Sequence, residues 1–167
     1  MSKFKKFWNS IKDYVYIVIA VVIIRTFIIT PAIVSGASMD KTLEDGQLVI
    51  INKFIYNFTD IERFDIVVVK NKVDKDKIIK RVIGLPNETI EYKDNQLYIN
   101  DKLVLAEITF PDTKDFKTTT SDGEYFVMGD NREVSKDSRM LCNFTEKEIV
   151  GKVNVRLFPF NKIGIVK

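Results

Sequence analysis

Two residues carry chemistry only if they meet. Ser38 lies in S-G-A-S-M-D-K-T-L, after Gly36 and Ala37, whose small size lets a peptide backbone approach closely. Lys80 lies in I-I-K-R-V-I-G, between Ile78, Ile79, Val82 and Ile83. The chain has no histidine, so Ser-His and Cys-His mechanisms and His-ligated metal sites are excluded. A hydroxyl nucleophile then needs another base. A lysine serves if apolar surroundings lower its pKa enough to leave a neutral amine. Taken singly, Ser38 reads as a solvated loop residue and Lys80 as an edge-strand lysine pointing to water. Strand alternation puts Lys80 on the face of Ile78 and Val82, with Arg81 pointing the other way. A third stretch, Gly129–Arg139, reads G-D-N-R-E-V-S-K-D-S-R and follows a hydrophobic strand. Bidentate carboxylate–guanidinium pairs within it would hold a loop beside a site.

The elements that must position these residues are strands. The runs Q-L-V-I-I-N (47–52), F-D-I-V-V-V-K (64–70), I-I-K-R-V-I-G-L (78–85), T-I-E-Y (89–92), L-Y-I-N (97–100), Y-F-V-M (125–128) and V-G-K-V-N-V-R-L (150–157) are short and rich in β-branched residues. Turn residues such as Asp45-Gly46, Lys93-Asp94-Asn95 and Asp122-Gly123 bound them. This predicts a mostly β fold, an antiparallel β-sandwich or partly barrel-like domain. The stretch 100–122, polar with Pro111 and a T-T-T-S run, reads as a loop insertion.

The N-terminus differs. Residues 1–12 hold four lysines and no acid, and Tyr14–Ile24 is an unbroken apolar run ended by Pro31 after Phe27-Ile28-Ile29. As a helix, residues 14–29 would extend about 24 Å, slightly short of a bilayer core of about 30 Å. A snorkelling Arg25 and flanking aromatics would cover the difference. The expected layout is a cytoplasmic N-terminus (1–12), a single transmembrane anchor (13–30) and an extracytoplasmic catalytic β domain (31–167). A cleaved signal peptide and a buried core helix are the competing readings of the apolar run. The charge of +3, with acids interleaved among the bases, gives no ground for nucleic acid as a partner. One cysteine, Cys142, permits neither an internal disulfide nor a Cys-rich metal site.

Together, S-G-A-S-M with T-L and D-G, R-F-D-I-V-V-V, I-K-R-V-I-G-L-P and G-D-N-R-E-V-S-K-D-S-R resemble, in order, the boxes of type I signal peptidases. The likeness is to the small, single-anchor Gram-positive type of these membrane-bound Ser/Lys proteases. The resemblance implies Ser38 as nucleophile, Lys80 as general base and Ser135 as the hydroxyl that orients the lysine amine. It implies Asp137 with Arg139 as one supporting pair and Asp130 with Arg81 as another, and the Ser38 backbone N–H as oxyanion donor. It implies no cofactor and no metal, and a small inserted unit at about 94–123. The partners would be secretory preproteins whose signal peptides carry small residues at −1 and −3, and membrane lipid, which a rim at Met39 and Phe64 would touch. Lys41 stands where the family usually has Pro, and Gly36 where some members have a serine that helps the oxyanion. Asn87 stands where Gly is common, as suits a residue tolerating positive φ. A self-cleaving Ser/Lys repressor-type protease, a signal-peptidase-like pilus assembly factor and an organellar inner-membrane peptidase remain open alternatives.

Overall fold

The computed structural model describes residues 3–23, 28–105 and 111–166. Helix α1 spans Lys3–Ile23, and among the described residues twelve strands follow: β1 (Ile29–Ile33), β2 (Leu48–Asn52), β3 (Ile66–Lys70), β4 (Lys77–Gly84), β5 (Thr89–Lys93), β6 (Gln96–Ile99), β7 (Lys102–Leu103), β8 (Phe116–Thr119), β9 (Glu124–Met128), β10 (Phe144–Thr145), β11 (Ile149–Phe158) and β12 (Gly164–Ile165). A short helix, α2 (Ser138–Leu141), lies between β9 and β10. The larger sheet runs β1-β2-β11-β3-β4-β9-β10 with β12 on β11, and the smaller runs β7-β6-β5-β8. Each recorded pairing is antiparallel.

Strand β3 shows why the large sheet curls. Its run I-V-V-V is buried on both faces. Ile66 and Val68 pack with Val34, Met39, Leu43, Val49, Ile51 and Val153. Val67 and Val69, on the opposite face, pack with Ile61, Val82, Val127 and Phe144. A flat sheet with one wet face has no use for such a strand; a half-barrel closed on one core and covered on the other does. A third cluster, with Ile83, Ile90, Tyr92, Leu97, Ile99, Phe126 and Met128, joins the small sheet to β4 and β9.

Three expectations change. Strands β5 and β6 lie at the runs expected at 89–92 and 97–100, but the stretch 100–122, expected as a loop, carries β7 and β8. Threonines there are β-branched and form the β5–β8 ladder, Thr89 opposite Thr119 and Ile90 opposite Thr118. At the N-terminus, α1 is described to Ile23, and the part of the expected anchor at residues 24–27 lies outside the described residues. Ile29 and Thr30 belong to β1, and Pro31 does not end a helix but pairs with Ile50 in an edge strand, where a missing N–H costs no ladder bond on the open side. Among the described residues, no helix is long and apolar enough to cross a membrane. Lastly, Met39 is 1% exposed within the core and forms no rim, while Phe64 is half-buried against the third cluster.

Two sheet edges stay open side by side. Strand β1 ends the large sheet. In β4, Arg81, Val82 and Gly84 pair with β9, but among the described residues Lys77–Lys80 pair only with β3. A cleft of about 180 Å³ lies between these edges, lined by Ile33–Gly36, Ser38 and Met39 on one side and Asp76–Ile79 on the other.

Candidate active site

Each element brings one functional side chain inward. After β1 the chain turns through residues 36–43, with Leu43 N–H bonded to Met39 O at 2.8 Å; buried Met39 and Leu43 pin this turn to the core. That leaves Ser38 at the cleft. Strand β4 delivers Lys80, whose Nζ donates to Ser38 Oγ at 2.7 Å and to the carbonyl of Ile79 at 3.0 Å. Lys80 is 2% exposed. Burial is the main cause that lowers its pKa from 10.5 to about 8; Asp137, Asp130 and Asp76 oppose the shift, and Arg139 assists it. At pH 7 about a tenth of such an amine is neutral, against roughly one part in three thousand for an ordinary lysine. The arrangement can therefore transfer a proton from a serine hydroxyl near neutral pH.

The 129–139 loop is built around that pair. Asn131 N–H donates to the carbonyl of Ser38 itself at 3.0 Å. Gly129 sits so close that a Cβ there would lie 2.5 Å from Ser38 O and 2.2 Å from Ser135 Oγ, so no larger residue fits. Asp137 accepts from Gly129 N–H (3.0 Å) and caps α2 through Arg139 N–H (3.2 Å). Arg139 forks onto Asp137 with two bonds of 2.9 Å and reaches Arg132 O at 2.7 Å. Arg81 and Asp130 form a fully buried bidentate pair at 2.8 and 2.7 Å. Both predicted pairs thus form, and Lys80, Ser38 and the loop converge. Ser135 is buried beside Gly129, but it forms no hydrogen bond with Lys80: among the described residues its Oγ has no partner.

Two further residues hold this arrangement together. Thr42 Oγ1 donates to Asp130 at 2.6 Å and accepts from Arg81 at 3.2 Å, tying the Ser38 turn to the buried pair. Its place four residues after Ser38, in the T-L that follows the serine, was the available signal. Arg132 donates to Gly129 O (3.1 Å) and Thr113 Oγ1 (2.8 Å) and lies 5.0 Å from the Tyr92 ring centroid, joining the loop to the small sheet. Two departures from the resemblance share a backbone cause. Gly36 has φ +85° and Lys41 φ +84°. A proline cannot adopt the second value, and a serine would be strained at the first. Asn87 takes φ +62°, as its residue type allows. Among the described residues, no group of His, Cys, Asp or Glu could hold a metal ion.

Residues 7–158 match the family described as "Signal peptidase, peptidase S26". The chain belongs to this family, as a type I signal peptidase. It is 38% identical over 169 residues to signal peptidase I T of Bacillus subtilis (strain 168), covering 93% of this chain and 88% of the relative. It is 37% identical over 161 residues to signal peptidase IB of Staphylococcus aureus (strain Mu50 / ATCC 700699), covering 84% and 83%. A crystal structure of a signal peptidase I from Enterococcus faecalis V583 superposes with a TM-score of 0.52 at 31% identity, covering 56% of this chain and 97% of the other.

Proposed function

We propose that this chain is a membrane-anchored serine endopeptidase that removes N-terminal signal peptides from exported preproteins, with Ser38 as nucleophile and Lys80 as general base. The observation that carries the reading is the 2.7 Å contact between Lys80 Nζ and Ser38 Oγ, buried at the end of a cleft with two open strand edges. Neutral Lys80 takes the proton as Ser38 Oγ attacks the scissile carbonyl. The Ser38 N–H, which has no hydrogen-bond partner among the described residues, receives the oxyanion, a donor typically worth about 3 kcal/mol. Protonated Lys80 then passes its proton to the leaving amine and, neutral again, activates the water that hydrolyses the acyl-enzyme. Ser135 Oγ, with its hydrogen-bonding capacity unspent, orients the amine once the acyl group displaces Ser38 from it.

The preprotein binds as an extended strand between β1's continuation and the open half of β4, adding backbone bonds on both sides. A cleft this small suits small side chains at −1 and −3. Helix α1 as described is not itself a span, so the anchor reading rests on the apolar sequence run Tyr14–Ile24 and on α1's exposed Tyr14, Tyr16, Ile17, Val18, Ile19, Val21 and Val22. An apolar helix face without protein cover is suited to lipid, with the lysine-rich end left inside and the β domain outside. Cleavage of a purified preprotein in detergent by wild type, Ser38→Ala, Lys80→Ala and Lys80→Arg tests the assignment. Each variant is expected to lose at least about 10⁴-fold in kcat/KM. Lys80→Arg fails because a guanidinium does not deprotonate. Retained turnover by any folded variant removes the dyad.

A further inference from the structure

We propose that Asp45 is a positioning residue for substrate: it fixes the Ser35–Gly36 peptide so that the Ser35 carbonyl faces the cleft and accepts a backbone N–H of the bound signal peptide. This rests on the peptidase reading above and adds to it a residue that touches neither dyad member.

The β1–β2 ladder closes with Ile33 opposite Leu48. Two more backbone bonds follow, Val34 N–H to Gln47 O (2.8 Å) and Gly46 N–H to Val34 O (3.0 Å). There backbone pairing stops, because the chain at 44–47 turns back. One rung further, a side chain replaces the missing strand: Gly36 N–H donates to Asp45 Oδ1 at 2.7 Å. In a trans peptide, the N–H of one residue and the C=O of the residue before it point in opposite directions. Among the described residues, the cis peptide is Phe158–Pro159, so Ser35–Gly36 is trans. With Gly36 N–H turned toward Asp45, the Ser35 carbonyl is turned away from it, toward the cleft that both residues line. Glycine at φ +85°, with nothing within 4 Å of its absent Cβ, offers little resistance to rotation of that peptide plane. The carboxylate supplies the restraint that the local backbone lacks. The wall formed by residues 33–36 therefore stays competent to pair with substrate up to two residues before the nucleophile.

The test is a set of peptide substrates, each with one backbone N–H replaced by an ester oxygen at one of the first four residues before the cut. Wild type, Asp45→Ala and Asp45→Asn are compared for kcat and KM. In wild type, one ester position should lose about tenfold in kcat/KM through a hydrogen bond to Ser35. Asp45→Ala should lose about tenfold on the all-amide peptide, mainly in KM, and that ester should then cost it nothing more. Asp45→Asn, which keeps the Oδ1 acceptor, should stay within about twofold of wild type. A purely structural role would lower kcat and thermal stability without changing the ester pattern. Normal cleavage by Asp45→Ala, or an ester pattern identical in the two enzymes, overturns the proposal and leaves the peptidase reading intact. Failure of wild type to cut the all-amide peptide, or equal cutting by Ser38→Ala, removes the peptidase reading itself.

Discussion

Lys80 and Arg81 are consecutive residues of one strand, both cations and both almost fully buried, at 2% and 0% exposure. Their surroundings separate them. Arg81 spends its guanidinium on Asp130, Thr42 and the carbonyl of Phe64. Lys80 meets a hydroxyl and a carbonyl, and among the described residues no carboxylate lies in salt-bridge contact with it. A buried charge with a matched counter-ion holds elements together; one without a counter-ion is driven toward its neutral form. Strand alternation is what allows one β4 segment to provide a rivet on one face and, on the other, an amine that can lose its proton.

Breaking the rivet is expected to have the larger effect on stability. Asp130→Asn leaves Arg81 buried beside a neutral partner and should cost about 3–5 kcal/mol in denaturant unfolding. The double variant Arg81→Met with Asp130→Leu should cost much less than the sum of the single changes, since it strands no charge. If the double change is additive, the pair is not the coupled unit described here.

Removing the unpaired cation should do the opposite. A lysine whose folded pKa is lowered disfavours its charged form in the folded state, so the fold carries a penalty. Below pH about 8 both states are protonated and the penalty is complete; it fades as pH rises from about 8 toward the unfolded value of 10.5. Lys80→Met should therefore stabilise the protein by about 3 kcal/mol at pH 7, with the gain shrinking toward pH 10.5. A stability gain independent of pH would assign the effect to packing instead.

The smallest contrast lies in the turn that carries Ser38. Lys41 at φ +84° pays a left-handed backbone cost of about 1 kcal/mol. Lys41→Gly should recover up to about that amount, whereas Lys41→Pro, despite matching the family's usual residue, should destabilise because its ring fixes φ near −65°. Thermal melts of both variants decide this.

The same contrast explains what could be read from sequence. Strands β2, β3, β4, β9 and β11 announced themselves through β-branched runs, because their burial is set within the strand. The small sheet was half hidden: Phe116–Thr119 and Lys102–Leu103 carry little apolar pattern, and their pairing partners decide their form. Strand β1 was masked by continuity, since Ile29 extends the apolar run of α1 and Pro31 resembles a helix stop. Lys80, Arg81 and the loop pairs were legible as chemistry. Asp45 and Arg132 were not, since their roles depend on hydrogen bonds across a turn or between distant segments that no local pattern encodes, and Thr42 offered only its place in the T-L after Ser38.

The most direct measurement is titration of Lys80 by NMR of the folded protein with isotope-labelled lysine side chains, the resonance being assigned by its loss in Lys80→Met. An apparent pKa of about 8 is expected. A value near 10.5 would contradict it, because an ammonium that stays charged at neutral pH cannot take the proton of Ser38.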